Sequence, residues 1–132
     1  MEKSIKSHIE EKIKNDSGFI ANNNYSLIEI NDEICIMEAT ITKSSLNPYD
    51  IAHGGFIFGL ADSCAGTLAC SLGSAAVTTN ANIMYLHKAT GNKLVAKSTF
   101  LKKGSKISNV EVVITDDNEI MVAKVELEFF YL

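Results

Sequence analysis

Residues 47–73 read NPYDIAHGGFIFGLADSCAGTLACSLG. The stretch opens on the chain's one proline, Pro48, and turns through His53-Gly54-Gly55. It then continues as a run of apolar and small residues interrupted by a single carboxylate, Asp62. A run apolar on all sides predicts a buried helix over 54–72, with Gly73 as its stop. Gly59, Ala61, Ala65, Gly66 and Ala69 give the helix a slim surface that neighbouring backbone can approach closely. Phe56, Phe58, Leu60 and Leu68 supply bulk between them. An ionisable group inside such a helix is expensive without a function, so Asp62 is the residue to explain.

On either side the hydrophobic period changes to two. Residues 25–30 and 34–42 read as strands joined by Asn31-Asp32-Glu33, the second with Cys35, Met37, Ala39 and Ile41 on one face and Glu38, Thr40 and Thr42 on the other. A loop is expected over 44–52, with Pro48 holding Asn47 extended. Four more strands are expected at 76–86, 94–101, 107–115 and 120–131, separated by Thr90-Gly91-Asn92, Lys103-Gly104-Ser105 and Asp116-Asp117-Asn118. In the last, Met121, Ala123, Val125, Leu127, Phe129 and Tyr131 share a face. Residues 2–15 form a polar helix with the thin stripe Ile5, Ile9 and Ile13, stopped at Asp16-Ser17-Gly18, so 1–18 is a peripheral N-terminal helix. The sum is α+β: a six-stranded antiparallel sheet wrapped around one central apolar helix, in a single domain over 1–132. A sheet from one chain does not fully enclose that helix, and a second copy is its natural complement.

The 132 residues are 46% hydrophobic and 21% charged, with net charge −4 and lysine as the only fixed cation; there is no arginine. That balance argues against a nucleic-acid partner. Cys35, Cys64 and Cys70 match no zinc or redox spacing and read as reduced thiols. The N-terminal MEKSIKSHIEEKIKND lacks a signal-peptide core, and Asp62 with the interspersed glycines weakens 54–73 as a membrane span. A cytoplasmic protein without a membrane partner is expected.

Three chemically apt features converge on the quoted stretch. The helix start at Gly54-Gly55 offers unpaired N–H groups and a positive dipole end, suited to a developing oxyanion. His53 precedes it directly, with Asn47 on the entering loop. Asp62 follows, and Thr78 and Asn80 are spaced to share a face of the next strand. At ~1.5 Å per residue, Asp62 lies about 10–13 Å along the helix from Gly54-Gly55, too far for one ester group. At about 100° per residue it nonetheless shares a face with Gly55. Two such helices packed antiparallel about a two-fold axis could bring each Asp62 to the other's helix start. The bland alternative is an Asp62 held by a neighbouring hydroxyl such as Ser63 or Thr67.

The pattern Asn47-x5-His53-Gly54-Gly55-x6-Asp62 resembles the active-site signature of the PaaI-type acyl-CoA thioesterases of the hotdog-fold superfamily. Leu60-Ala61-Asp62, Ala76-Val77-Thr78, Tyr85-Leu86 and the final strand match in order. The resemblance implies a hotdog fold and hydrolysis of acyl-CoA thioesters, with coenzyme A as part of the substrate and no cofactor or metal. It implies a homodimer with shared active sites, often paired into a tetramer. The Gly54 N–H would bind the thioester carbonyl, His53 and Asn47 would hold the thioester, Asp62 would be the partner-supplied carboxylate, and Thr78 would place water. Gly55, Asn80, Lys88, Lys103 and Lys106 complete the expected substrate-binding set. His87-Lys88-Ala89 replaces the family's usual proline-alanine pair, and lysines must stand in for arginine at the coenzyme A phosphates. General-base and nucleophilic roles for Asp62 both remain open, as do aromatic and medium-chain acyl groups near Phe56, Phe58, Leu60 and Met84. A non-catalytic acyl-CoA-binding protein and a hydratase of the same fold are the functional alternatives.

Overall fold

The computed structural model describes residues 1–132. Two helices come first, α1 (Lys3–Lys14) and the short α2 (Phe19–Asn22), followed by β1 (Tyr25–Ile30) and β2 (Ile34–Thr40). A 3-10 turn at Lys43–Ser45 leads to the long helix α3 (Gly54–Cys70). Four strands complete the chain: β3 (Ala76–Tyr85), β4 (Lys93–Lys102), β5 (Ile107–Asp116) and β6 (Met121–Tyr131). The sheet runs β1-β2-β4-β5-β6-β3, antiparallel throughout. This is the expected architecture, with α2 and the 3-10 turn added. No helix is long and apolar enough to cross a membrane.

The sheet wraps α3 because β2, β4, β5 and β6 turn their alternate apolar residues towards the helix. Met37, Ala39, Leu94, Ala96, Val110, Val112, Ile114, Val125, Leu127 and Phe129 are all buried against Phe56, Leu60, Ala61, Cys64, Ala65 and Leu68. Polar contacts fix the helix within that groove. The Cys64 thiol donates to the Cys35 carbonyl at 3.2 Å, and the Ser98 hydroxyl donates to the Cys64 carbonyl at 3.2 Å. Both cysteines are fully buried free thiols, as expected, whereas Cys70 is partly exposed.

Two irregularities change the expected faces. In β6 the register against β5 slips between Ile114 and Thr115, so Val122 and Ala123 are both buried and Met121 turns outward. The Val122 carbonyl accepts instead from the amides of Leu86 and His87. In β3 the register against β6 slips between Thr78 and Asn80, a bulge at Thr79 that inverts the alternation beyond it. Thr78 pairs with the inward Phe129, but Asn80 pairs with Glu128 on the outer face. Strict two-residue alternation could not anticipate either bulge.

Gly59 is the closest approach in the core. A Cβ there would lie 2.6 Å from the Tyr25 hydroxyl and 2.9 Å from the Phe19 ring. The approaching groups are aromatic side chains rather than the neighbouring backbone expected. Gly59→Ala should therefore destabilise the fold by about 1–3 kcal/mol through overpacking, against the usual gain from replacing a helical glycine. Thermal unfolding should show Tm falling by ~4 °C or more; an unchanged or raised Tm would mean that Phe19 and Tyr25 yield freely.

Candidate active site

The helix start is organised from its own flanking residues. His53 is the N-cap of α3, with extended backbone at φ −65° and ψ 140°. Its Nδ1 accepts the Gly55 N–H at 2.8 Å, which puts the ring proton on Nε2. The amides of Phe56 and Ile57 both donate to the His53 carbonyl. Among the first four amides of the helix, only that of Gly54 is left without an intramolecular acceptor. Tyr85 closes the other side, its hydroxyl donating to the Gly54 carbonyl at 2.8 Å. Burial raises the Tyr85 phenol above its ordinary pKa, so it stays a donor across the neutral range.

Asn47 shapes the entering loop. Its Oδ1 accepts the amides of Tyr49 at 2.9 Å and Ile51 at 3.3 Å, while its backbone N–H donates to the Ile51 carbonyl. The turn it closes includes Asp50 in the left-handed region at φ 60°. With Oδ1 engaged on backbone, the side-chain amide group is left as a donor. Asn47, Gly54, Gly55, Tyr85 and Lys88 line one cavity of about 510 Å³.

Asp62 lies half-buried on the face of α3 turned towards Thr78 of β3. Thr78 donates to its Oδ1 at 2.6 Å. Neither nearby hydroxyl on the helix holds it: Thr67 donates to the Ser63 carbonyl instead. Asp62 takes part in no ion pair. Its carboxylate therefore has one neutral donor on one oxygen and a free second oxygen.

The bulge at Thr79 sorts the remaining candidates. Beyond it Ala81, Ile83 and Tyr85 share the inward face with Thr78, while Asn80, Asn82 and Met84 face outward. Asn80 is thus turned away from Asp62, and Met84 is half exposed on the outer surface rather than near the site. Tyr85 takes the inward place instead. Sequence matching had noted Tyr85 only as part of a pair; simple alternation from Thr78 puts it on the wrong face.

The lysines divide between two ends of the molecule. Lys88 lines the cavity at the helix start. Lys103 and Lys106 lie on the turn between β4 and β5, at the end of the sheet where β3 begins. Lys103 pairs with Glu33 at 3.6 Å and lies over the Phe100 ring. One chain does not bring them to Gly54. The same is true of Asp62, eight residues and about 12 Å of helix rise from Gly54. A second cleft, of about 760 Å³, opens on Asp62 between α1 and α3.

Comparison with known proteins bears on the family and the fold. The Thioesterase superfamily profile matches residues 49–123. A protein of Archaeoglobus fulgidus, named as a candidate esterase, is 28% identical over 98 residues, or 74% of this chain; the match spans 64% of that protein's length. Among solved structures, a thioesterase-class protein of Streptococcus pneumoniae with coenzyme A is 30% identical, covering 83% of this chain and 86% of that one, with TM-score 0.79. Two further structures of that protein carry alanine in place of an aspartate and of a threonine, sixteen positions apart. A Streptococcus mutans protein bound to acetyl-CoA is 27% identical, covering 89% and 96% of the two chains, with TM-score 0.82. The PaaI protein of the E. coli phenylacetic acid degradation operon superposes with TM-score 0.91 over 97% and 93% of the chains at 21% identity, a likeness of fold. With the profile covering more than half of its residues, this chain belongs to the thioesterase superfamily and has the hotdog fold.

Proposed function

We propose that the protein hydrolyses acyl-CoA thioesters in a site assembled between two copies of the chain. The observation that carries this reading is the separation of two complementary half-sites on one helix: an unpaired amide at Gly54 and an unpaired carboxylate oxygen at Asp62. Family membership and the coenzyme A and acetyl-CoA in similar structures support the substrate class. The aspartate and threonine replaced in the Streptococcus pneumoniae protein have the same separation as Asp62 and Thr78.

The open edge supports the assembly. β3 is ten residues long, pairs only with β6, and contains no proline or lysine to discourage a second strand. Antiparallel pairing of β3 with its copy would continue the sheet and lay two α3 helices side by side in opposite directions. Each Asp62 would then face the other chain's Gly54. The same operation carries the turn bearing Lys103 and Lys106 towards the neighbour's Lys88, gathering the cations that one chain keeps apart.

In the reaction the thioester carbonyl accepts the Gly54 N–H, with the Asn47 side-chain amide and the His53 edge holding the group from the loop side. The Asp62 carboxylate takes a proton from water as the water oxygen attacks the carbonyl carbon. The negative charge that develops on the carbonyl oxygen is met by Gly54 and the dipole of α3. Collapse of the tetrahedral species breaks the C–S bond, and the proton returns to the departing thiolate. Thr78 orients the carboxylate through Oδ1, leaving the free oxygen for water.

Asp62→Asn should lower kcat for a panel of acyl-CoAs by at least ~10²-fold while circular dichroism and Tm stay close to the parent; near-normal turnover would remove the carboxylate from the mechanism. Shared sites make a second, sharper expectation. Gly54→Pro deletes the amide at a helix position that tolerates proline, after a residue already extended. Neither variant alone should turn over. Refolded together, Asp62→Asn and Gly54→Pro chains should regain about a quarter of parental activity, since half the dimers are mixed and each has one intact site. Recovery no greater than the sum of the two variants would assign each site to a single chain.

A further inference from the structure

Resting on the thioesterase reading, we propose that the cleft between α1 and α3 is the acyl pocket, and that it selects unbranched aliphatic chains of medium length over acetyl and aryl groups. The cleft opens on Asp62, which stands beside the scissile carbonyl in the proposed reaction. From there it runs along α3 past Gly66 to Cys70, eight residues or about 12 Å of helix rise. An extended octanoyl to decanoyl chain spans that length; an acetyl group leaves nearly all of it wet. Its volume of about 760 Å³ is in the range of sites that enclose whole ligands.

The chemistry of the walls sets the class. The outer wall is the α1 stripe of Ile5, Ile9 and Ile13, with Ile9 buried, while the exposed His8 and Lys12 stand at the lip. The inner wall is the slim face of α3 at Gly66 and Thr67, and Phe129 packs behind Gly66, where a Cβ would meet its ring at 3.5 Å. No Phe, Tyr or Trp lines the cleft. Aryl groups gain from ring partners, which are missing, whereas flexible methylenes gain from branched aliphatic walls. The second cavity is smaller and also partly apolar, with Ile51, Ile57 and Leu86 in its lining. It holds Asn47, the helix start and Lys88, and suits the polar coenzyme A side of the thioester. Opposite ends of one thioester thus find separate cavities, the coenzyme A side at the one that carries Lys88 and the acyl side at the cleft without Phe, Tyr or Trp.

The peripheral helix α1 then becomes a specificity element, a role its thin stripe and polar outer face did not announce. Two measurements test this. In parental protein, kcat/KM should rise from acetyl- through butyryl- to decanoyl-CoA and be lower for phenylacetyl- than for decanoyl-CoA. Ile5→Trp, which narrows the cleft from the α1 side, should lower the decanoyl-to-butyryl ratio of kcat/KM by at least about tenfold. An unchanged ratio, or a parental preference for phenylacetyl-CoA, overturns the assignment. The other measurement needs no turnover. Cys70 lines the cleft and is partly exposed, while Cys35 and Cys64 are fully buried. Alkylation of Cys70 by iodoacetamide should be slowed severalfold by the S-decyl thioether of coenzyme A and not by coenzyme A alone. Equal rates overturn the pocket assignment even if every thioester is hydrolysed. A protein that protects Cys70 but hydrolyses no acyl-CoA retains the pocket and loses the catalytic reading.

Discussion

The whole arrangement depends on how firmly α3 is held in rotation. Three tyrosines on three different strands donate to carbonyls of that helix: Tyr85 to Gly54, Tyr25 to Phe56 and Tyr131 to Ala69. Burial raises all three phenols above their ordinary pKa, so they remain donors at neutral pH. Their targets lie at both ends of the helix, and the Cys64 thiol and Ser98 hydroxyl fix its middle. A helix of small residues slides and turns more easily than a bulky one, because few knobs lock its register. Directional bonds supply what steric interlocking does not. A rotation of even one residue's angle, about 100°, would carry Asp62 either into the aliphatic core or out of reach of Thr78.

That constraint explains which parts of the molecule were legible in the sequence. Strand β1 spans the residues that its composition and the flanking turn residues placed, although a bulge between Leu27 and Glu29 buries both Tyr25 and Ile30 and breaks its alternation. The buried span of α3 was legible because nothing but a fully surrounded helix tolerates such a run. The site was legible as far as residues that belong to the helix itself or its cap: His53, Gly54 and Asp62. It failed where backbone geometry, rather than residue type, decides direction. The bulge at Thr79 carries no glycine or proline to announce it, and it exchanges Asn80 for Tyr85 on the site face. Asn47 was found, but not the reason for its type, which is an acceptor oxygen closing the loop on Tyr49 and Ile51.

A single chain leaves three liabilities on one side: the ten-residue edge of β3, the half-buried carboxylate of Asp62 and the unpaired amide of Gly54. Taken separately, each has an ordinary remedy, such as a lysine on the edge, a salt bridge for the acid or a side-chain cap for the amide. The sequence supplies none of the three there, although it caps the adjacent Gly55 amide with His53. A two-fold axis beside β3 answers all of them at once. In the proposed dimer it would pair the edge and bring the amide and carboxylate to opposite sides of one substrate carbonyl.

The same axis accounts for a chain without arginine. A guanidinium binds phosphate by its fixed fork, so one well-placed residue suffices; an ammonium acts as a point charge, and several must converge to compensate. Lys88 stands at one end of β3, and Lys103 and Lys106 stand beyond the other. Antiparallel pairing brings these ends together at each site, one lysine from one chain and two from its copy. Lys103 is already shared with Glu33 and the Phe100 face, so its charge is partly spent within its own chain, and Lys106 is in no ion pair. In the proposed pair the lysine cluster would have a phosphate-binding strength that one chain lacks. On this argument coenzyme A affinity and the chemistry at Asp62 are both consequences of one interface, rather than two functions that a monomer could retain separately.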